Sequence, residues 1–138
     1  MITTVDVETS YQKTETGGYD PSPFHPDNIL VSVGINDEYY FTNHSERIDE
    51  GCYHKIQAIL DKTTLLVGHN IKFDLMWLLE SGFKYSGRVY DTMLGEYILN
   101  RGVRKSLTLE MSCRRRKIGS KDSSIKEWMD RGVSFENI

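Results

Sequence analysis

The N-terminal segment reads Ile2-Thr3-Thr4-Val5-Asp6-Val7-Glu8, and its β-branched, alternating composition is typical of a β-strand. Side chains two residues apart in a strand point to the same face, so Asp6 and Glu8 project together while Val5 and Val7 face the opposite layer. Two neighbouring carboxylates raise each other's pKa unless a cation lies between them, and oxygen ligands suit Mg²⁺ or Mn²⁺ rather than zinc. Taken alone, an exposed strand with two solvated acids is the simpler interpretation of so short a motif.

A second strand–helix junction carries further polar residues. It reads Leu65-Leu66-Val67-Gly68-His69-Asn70-Ile71-Lys72-Phe73-Asp74, which we interpret as a buried strand that passes through a small residue into a helix. Asn70 and Asp74 are four residues apart and therefore share one helix face, one turn above the other. Asp74 is thus placed to lean over the strand ends and meet Asp6 and Glu8. The alternatives are a surface acid at Asp74 and a helix cap at Asn70.

The rest of the chain predicts a mixed α/β architecture. Segments 29–35 and 38–42 form a hairpin, helices follow at about 46–62 and from 71 to Gly82, and a short strand covers 88–90. Asp91 fits the N-cap of a helix that stops near Gly102, another helix begins near Ser106, and residues 124–127 have capping-box spacing. Residues 10–28, broken by glycine and proline, read as a long surface loop. A hairpin beside strand–helix alternation favours a mixed sheet with helices against it.

Length and composition restrict the class of protein. With 138 residues, 38% of them hydrophobic and 27% charged, the chain fits a single soluble globular domain over residues 1–138. No apolar run approaches the roughly 18 residues needed to span a bilayer, so we expect no membrane partner. Cys52 and Cys113 are too few for a disulfide framework or a zinc cage, and the N-terminus has no secretory leader. A reducing, intracellular setting is the simplest interpretation.

The net charge of −3 conceals an asymmetry between the two ends of the sequence. Residues 1–100 carry 7 Lys and Arg against 15 Asp and Glu, whereas residues 101–138 carry 10 against 5. The basic run Arg114-Arg115-Arg116-Lys117, with basic neighbours at positions 101, 104, 105 and 121, is a candidate contact for a phosphate backbone. The alternative is a solvated helix face.

Together, the two acidic motifs resemble the first and second motifs of the DEDD-type 3′–5′ exonucleases, which have the ribonuclease-H-like fold. The similarity is closest to the proofreading domain of family A, DNA polymerase I-like polymerases, particularly those of phages. In that family the strand reads D-x-E-T, here Asp6-Val7-Glu8-Thr9, and the second motif reads N-x-x-aromatic-D, here Asn70-Ile71-Lys72-Phe73-Asp74. A third stretch, Tyr90 to Leu99, looks like the D-T-M-L-x-x-Y-x-L segment that follows in these polymerases. The resemblance therefore spans most of the chain in the correct order.

The resemblance implies a metal-dependent exonuclease that acts on a single-stranded DNA 3′ end. Two divalent cations, Mg²⁺ or Mn²⁺, would be held by the catalytic residues Asp6, Glu8 and Asp74. The terminal nucleotides would be positioned by Thr9, Asn70 and Phe73, although Phe73 is also a candidate core residue. The implied partner is a DNA polymerase domain in the same or a companion chain, in the cytoplasm of a bacterial cell or phage-infected host.

One element of the family pattern is missing. The family's fourth acid comes from a later helix with Y-x-x-x-D or H-x-x-x-x-D spacing, where the Tyr or His orients the attacking water. Tyr97 is followed at the fourth position by Arg101, and Asp130 is preceded at the fourth position by Lys126. We therefore expect a domain that is incomplete at its C-terminus, with weak or absent nuclease activity and retained binding of one divalent ion. The alternatives are a non-catalytic nucleic-acid-binding or polymerase-docking module, and an RNA-trimming relative.

Overall fold

A computed structural model of the chain describes residues 1–42, 50–120, 127 and 131. Its elements, in chain order, are β1 (Ile2–Thr9), β2 (Gln12–Lys13), β3 (Tyr19–Asp20), β4 (Leu30–Ile35), β5 (Glu38–Phe41), α1 (Glu50–Lys62), β6 (Leu65–Gly68), α2 (Ile71–Glu80), β7 (Arg88–Asp91), α3 (Thr92–Leu99) and α4 (Leu109–Arg116). The strands and helices predicted between positions 2 and 99 are all found, within a few residues of the expected bounds where the chain is described.

Five strands form one sheet in the order β5-β4-β1-β6-β7. The central strand β1 runs antiparallel to β4 and parallel to β6, while β4–β5 is antiparallel and β6–β7 is parallel. The antiparallel side is the predicted hairpin, and the parallel side follows from the strand–helix–strand alternation. The predicted α/β class, a ribonuclease-H-like mixed sheet with helices against it, is confirmed.

The core lies between one face of the sheet and the helices α1 and α2. Along β1, buried Thr3, Val5 and Val7 alternate with exposed residues, as one-sided burial of a strand requires. Their buried cluster includes Cys52 and Ile56 of α1, together with further apolar side chains of α2. Asp6 and Glu8 consequently stand on the exposed face of β1.

The chain forms two compact units, Met1–Thr92 and Met93–Ile138. The first contains the sheet with α1 and α2. The second contains nearly all of α3, and α4, whose N-cap Thr108 accepts a hydrogen bond from the backbone N–H of Met111 at 3.3 Å. In the part of the chain that is described, no helix is long and apolar enough to cross a membrane.

The predicted loop at 10–28 contains more structure than its composition indicates. Within it, β2 and β3 form a two-stranded antiparallel ribbon. The side-chain amide of Asn28 donates to the backbone carbonyls of Asp20 and Ser22, and the indole N–H of Trp77 on α2 donates to the carbonyl of Pro21 at 3.1 Å. The segment is thus fastened to the body of the first unit. The predicted capping-box helix at 124–127 lies outside the described residues, except for position 127.

Candidate active site

The carboxyl end of β1 extends past its parallel neighbour β6. The two strands pair over Ile2–Thr4, whereas β4 pairs along the other edge of β1 as far as Thr9, with a register shift between Glu8 and Thr9. The edge of β1 beyond Thr4 therefore lies next to the start of α2, which follows β6 directly. This stagger lets a helix side chain reach the backbone of the central strand.

Asp74 makes that contact. Its Oδ1 atom accepts a hydrogen bond from the backbone N–H of Val7 at 2.9 Å, across 67 positions of sequence. The residue is 3% exposed and lies in the first turn of α2, where the helix dipole favours a negative charge. Val7 stands between Asp6 and Glu8, so this hydrogen bond fixes the carboxylate of Asp74 beside the strand that carries the other two predicted acids.

The electrostatic surroundings of Asp74 disfavour its charged form. The pKa of Asp74 is raised from 3.8 to about 6: burial is the largest cause, the negative charges of Asp6 and Asp91 act in the same direction, and the hydrogen bond from Val7 acts against them. A carboxylate held among like charges gains most from a cation placed between them. The sequence-based prediction that Asp74 leans towards Asp6 agrees with this coupling.

Asp91 is a further acid whose charge acts on Asp74, although the sequence predicted it only as a helix N-cap. It is the last residue of β7, lies opposite Gly68 of β6, and its Oδ1 atom accepts from the backbone N–H of Asn70 at 2.9 Å. The position directly precedes α3, as expected for an N-cap. The proximity of Asp91 to the start of α2 could have been predicted from the sequence, because the carboxyl ends of adjacent parallel strands meet at one edge of a sheet.

The three predicted substrate-binding residues occupy different settings. Asn70 is exposed and left-handed (φ 60°, ψ 47°) at the N-cap position of α2, and among the described residues its side chain makes no capping hydrogen bond. Thr9 is half-buried at the end of β1, opposite Leu30. Phe73 is half-buried and packs against the core, as its alternative interpretation predicted. Of the three, Asn70 is the exposed one, in a left-handed conformation that asparagine adopts more readily than most residues.

The donor chemistry fits a hard divalent cation. The acids near β1 offer carboxylate oxygens, the ligands that Mg²⁺ and Mn²⁺ prefer. The charges of Asp6 and Asp91 both act on Asp74, and Glu8 lies on the same strand face as Asp6. Within residues 1–42 and 50–120, however, no group of three or more His, Cys, Asp or Glu side chains is already arranged as a metal site. A bound cation would therefore have to draw these carboxylates inward.

The basic run at residues 114–117 lies in the second unit, and its three arginines form ion pairs with carboxylates. Arg115 and Arg116 both pair with Glu96 of α3, whose side chain is 7% exposed, and Arg116 Nε lies 3.2 Å from Glu96 Oε2. Arg114 pairs with Glu110 one turn earlier on α4, at 2.8 Å. The three arginines therefore have carboxylate partners within the protein. Neither interpretation of the basic run from sequence, a phosphate contact or a solvated helix face, included these ion pairs. Position 121 lies outside the described residues.

Comparison with known proteins covers most of the chain. A family model described as a 3′–5′ exonuclease matches residues 11–127, most of the sequence. The match begins after Asp6 and Glu8 and includes Asn70, Phe73 and Asp74. A search of curated proteins gave no match.

Proposed function

The chain belongs to the 3′–5′ exonuclease family of the DNA polymerase A type, and from this premise we propose that it removes nucleotides from single-stranded DNA 3′ ends as a proofreading domain. The catalytic residues are Asp6, Glu8 and Asp74. The observation that carries the proposal is the hydrogen bond from the backbone N–H of Val7 to Asp74. It supports the proposal because it fixes a helix carboxylate at the backbone of the strand that carries Asp6 and Glu8.

Each acid has a distinct part in holding divalent ions. Asp6 and Glu8 offer oxygens from one exposed strand face, and Asp74 offers the oxygen that Val7 does not occupy. Bound Mg²⁺ or Mn²⁺, two ions in the full arrangement, would supply an activated water and neutralise charge at the phosphodiester. Asp74 must be ionised to act as a ligand, so activity should rise as pH increases through the raised pKa of this residue.

Substrate positioning falls to Asn70, Thr9 and Phe73. The Asn70 amide can donate to and accept from a terminal nucleotide. The hydroxyl of Thr9 follows Glu8 on the strand, and the ring of Phe73 lies one residue before Asp74. Recognition of an unpaired end needs contacts to phosphates and base faces rather than sequence readout.

The missing Y-x-x-x-D or H-x-x-x-x-D spacing after Asp74 bears on the rate. The sequence lacks the acid that the family takes from this later helix, and the group that orients water. The chain should therefore bind one ion better than two, and its turnover should be about 10²–10⁴-fold slower than that of a site with the complete family pattern. We propose that the chain works with a DNA polymerase domain, in the same or a companion polypeptide, in the cytoplasm of a bacterial cell or phage-infected host.

A gel assay tests the proposal. A 5′-fluorescent single-stranded DNA oligomer with Mn²⁺ should give a ladder that shortens from the 3′ end, and an oligomer with an inverted 3′-terminal nucleotide should resist. Asp6→Asn and Asp74→Asn should each lower the rate by about 100-fold or more, whereas Glu15→Gln, which changes an exposed acid on the β2–β3 turn, should not. Equal rates for the wild type and Asp74→Asn, or shortening from the 5′ end, would contradict it.

The absent fourth acid favours a second candidate, a nucleic-acid-binding or polymerase-docking module without turnover. That module would bind the oligomer in the same assay and leave it intact at every Mn²⁺ concentration. An RNA oligomer run in parallel distinguishes an RNA-trimming relative, which would shorten RNA faster than DNA.

A further inference from the structure

Two cross-strand rows connect the predicted catalytic acids to the edge strand β5. In the first row, Asp6 pairs with Gly34 of β4, which pairs with Tyr39 of β5. In the second row, Glu8 pairs with Ser32, which pairs with Phe41. Residues directly opposite each other in a sheet share a face, so the two acids and the two aromatic rings stand on the same exposed side.

The residues between them are small. A Cβ atom placed on Gly34 would lie 3.1 Å from Cε1 of the Tyr39 ring, so this ring lies over the glycine, towards Asp6. Ser32 is short and 3% exposed, whereas Tyr39 is 67% and Phe41 47% exposed. This face therefore carries carboxylates along β1 and aromatic rings along β5, with small, buried residues of β4 between them. Strands are spaced about 4.8 Å apart, so the backbones of β5 and β1 are about 10 Å apart, and the Tyr39 ring lies over the strand between them.

We propose that Tyr39 and Phe41 form a base-stacking subsite for single-stranded nucleic acid whose terminal phosphodiester lies at Asp6 and Glu8. The inference rests on the proposed function and adds a substrate contact to it. Because β4 separates β5 from β1, the rings are placed to contact a neighbouring base rather than the reacting phosphate.

The charges on this face favour contact with bases over contact with phosphates. Neither β4 nor β5 carries Lys or Arg, and Asp37 and Glu38 add negative charge at the hairpin. Attraction at this edge must therefore come from the faces of the bases, which stack on aromatic rings with little sequence preference. The same reasoning disfavours an acidic or phosphorylated peptide as the occupant.

Fluorescence anisotropy with the full 138-residue chain tests the subsite. The probes are a 5′-fluorescein-labelled (dT)8 oligomer and the same oligomer with abasic residues at its three 3′-terminal positions, both in Ca²⁺. Tyr39→Leu should weaken (dT)8 binding about 5-fold or more, while Tyr39→Phe, which keeps the ring, should bind like the wild type. The abasic oligomer should bind the wild type and Tyr39→Leu equally, and the fold-loss on (dT)8 should change little with salt.

Matched variants and outcomes make the test decisive. Tyr97→Leu, at a similarly exposed tyrosine on α3, should leave (dT)8 binding unchanged. Equal affinities of the wild type and Tyr39→Leu, or an equal loss with the abasic oligomer, would overturn the subsite. So would a dimer in sedimentation that Tyr39→Leu dissolves without affecting (dT)8, because the face would then be a protein interface. If the chain shortens DNA in Mn²⁺ but Tyr39→Leu does not weaken (dT)8 binding, the subsite is rejected and the proposed nuclease is retained. If Tyr39→Leu weakens binding but no shortening occurs, only the nuclease is rejected.

Discussion

The carboxyl group of Asp74 links folding to pH. Its pKa is about 6 in the folded chain against 3.8 as the reference value, so between these pH values the folded state binds more protons than the unfolded state. Protonated Asp74 therefore favours the folded state at low pH, and this contribution to stability is lost as the pH rises through about 6. Removing the charge should therefore stabilise the fold at neutral pH.

Asp74→Asn should raise the free energy of unfolding at pH 7 by about 1–2 kcal/mol, less than the full shift implies because solvent at exposed Asp6 screens the charges. The asparagine keeps an oxygen that can accept from Val7. Urea unfolding between pH 3.5 and 7.5 should show the difference shrinking as the pH falls from about 6 and vanishing below about pH 4. Asp74→Ala, which also removes the acceptor, should gain less than Asp74→Asn. A less stable Asp74→Asn chain at pH 7 would contradict the assigned electrostatics.

At the scale of elements, α3 and α4 are joined by one carboxylate shared between two guanidinium groups. Arg115 also donates to the backbone carbonyl of Ser106 at 2.7 Å, so it connects Glu96 to the segment that precedes α4. The positive charges of Arg115 and Arg116 lower the pKa of Glu96, so the stability that this cluster gives is present at neutral pH and lost on acidification.

Arg115→Met should therefore lower the thermal stability of the second unit at pH 7, because it leaves a buried carboxylate with one partner fewer. Arg114→Met is the matched control, since it removes an exposed pair within one helix, which contributes little. Hydrogen exchange of the α3 and α4 amides measures the effect locally. Equal exchange rates in the two variants would show that the Glu96 cluster does not hold these helices.

Elements were predictable from sequence where one periodicity dominated. The alternation of β1 and the helical spacing of α2 each follow from burial of one face, which local sequence records directly. The β2–β3 ribbon was not predictable in the same way, because two-residue strands carry no periodic signal. It is held by side-chain hydrogen bonds that no periodicity records, from Asn28 within the segment and from the distant Trp77 on α2.

At the scale of the whole molecule, sequence spacing predicted that Asp6 and Asp74 would lie near each other, yet it gave no means to predict what holds them. The contact depends on β1 extending past β6, which exposes the N–H of Val7 to α2. The register between β1 and β6, whose paired residues are 63 positions apart in the sequence, is a property of the assembled sheet. Asp91 joins the cluster for the same reason, since its place beside Asn70 depends on the β6–β7 register. The roles of Asp6, Glu8 and Asp74 as metal ligands stay predictions.

Cation binding should stabilise the whole first unit by linkage. A ligand that binds only the folded state adds RT ln(1 + [L]/Kd), about 2.7 kcal/mol at 100 times Kd, so the melting temperature of the wild type should rise steadily with Mn²⁺. The rise should be larger at pH 7.5 than at pH 5.5, because Asp74 must lose its proton to coordinate the ion. Asp74→Asn should start from a higher melting temperature than the wild type at pH 7.5 and respond far less to Mn²⁺, whereas Arg114→Met should respond like the wild type. Calcium and magnesium titrations run beside Mn²⁺ report the selectivity of an oxygen-ligand site, and a response to Mn²⁺ that survives in Asp74→Asn would remove Asp74 from the ligand set.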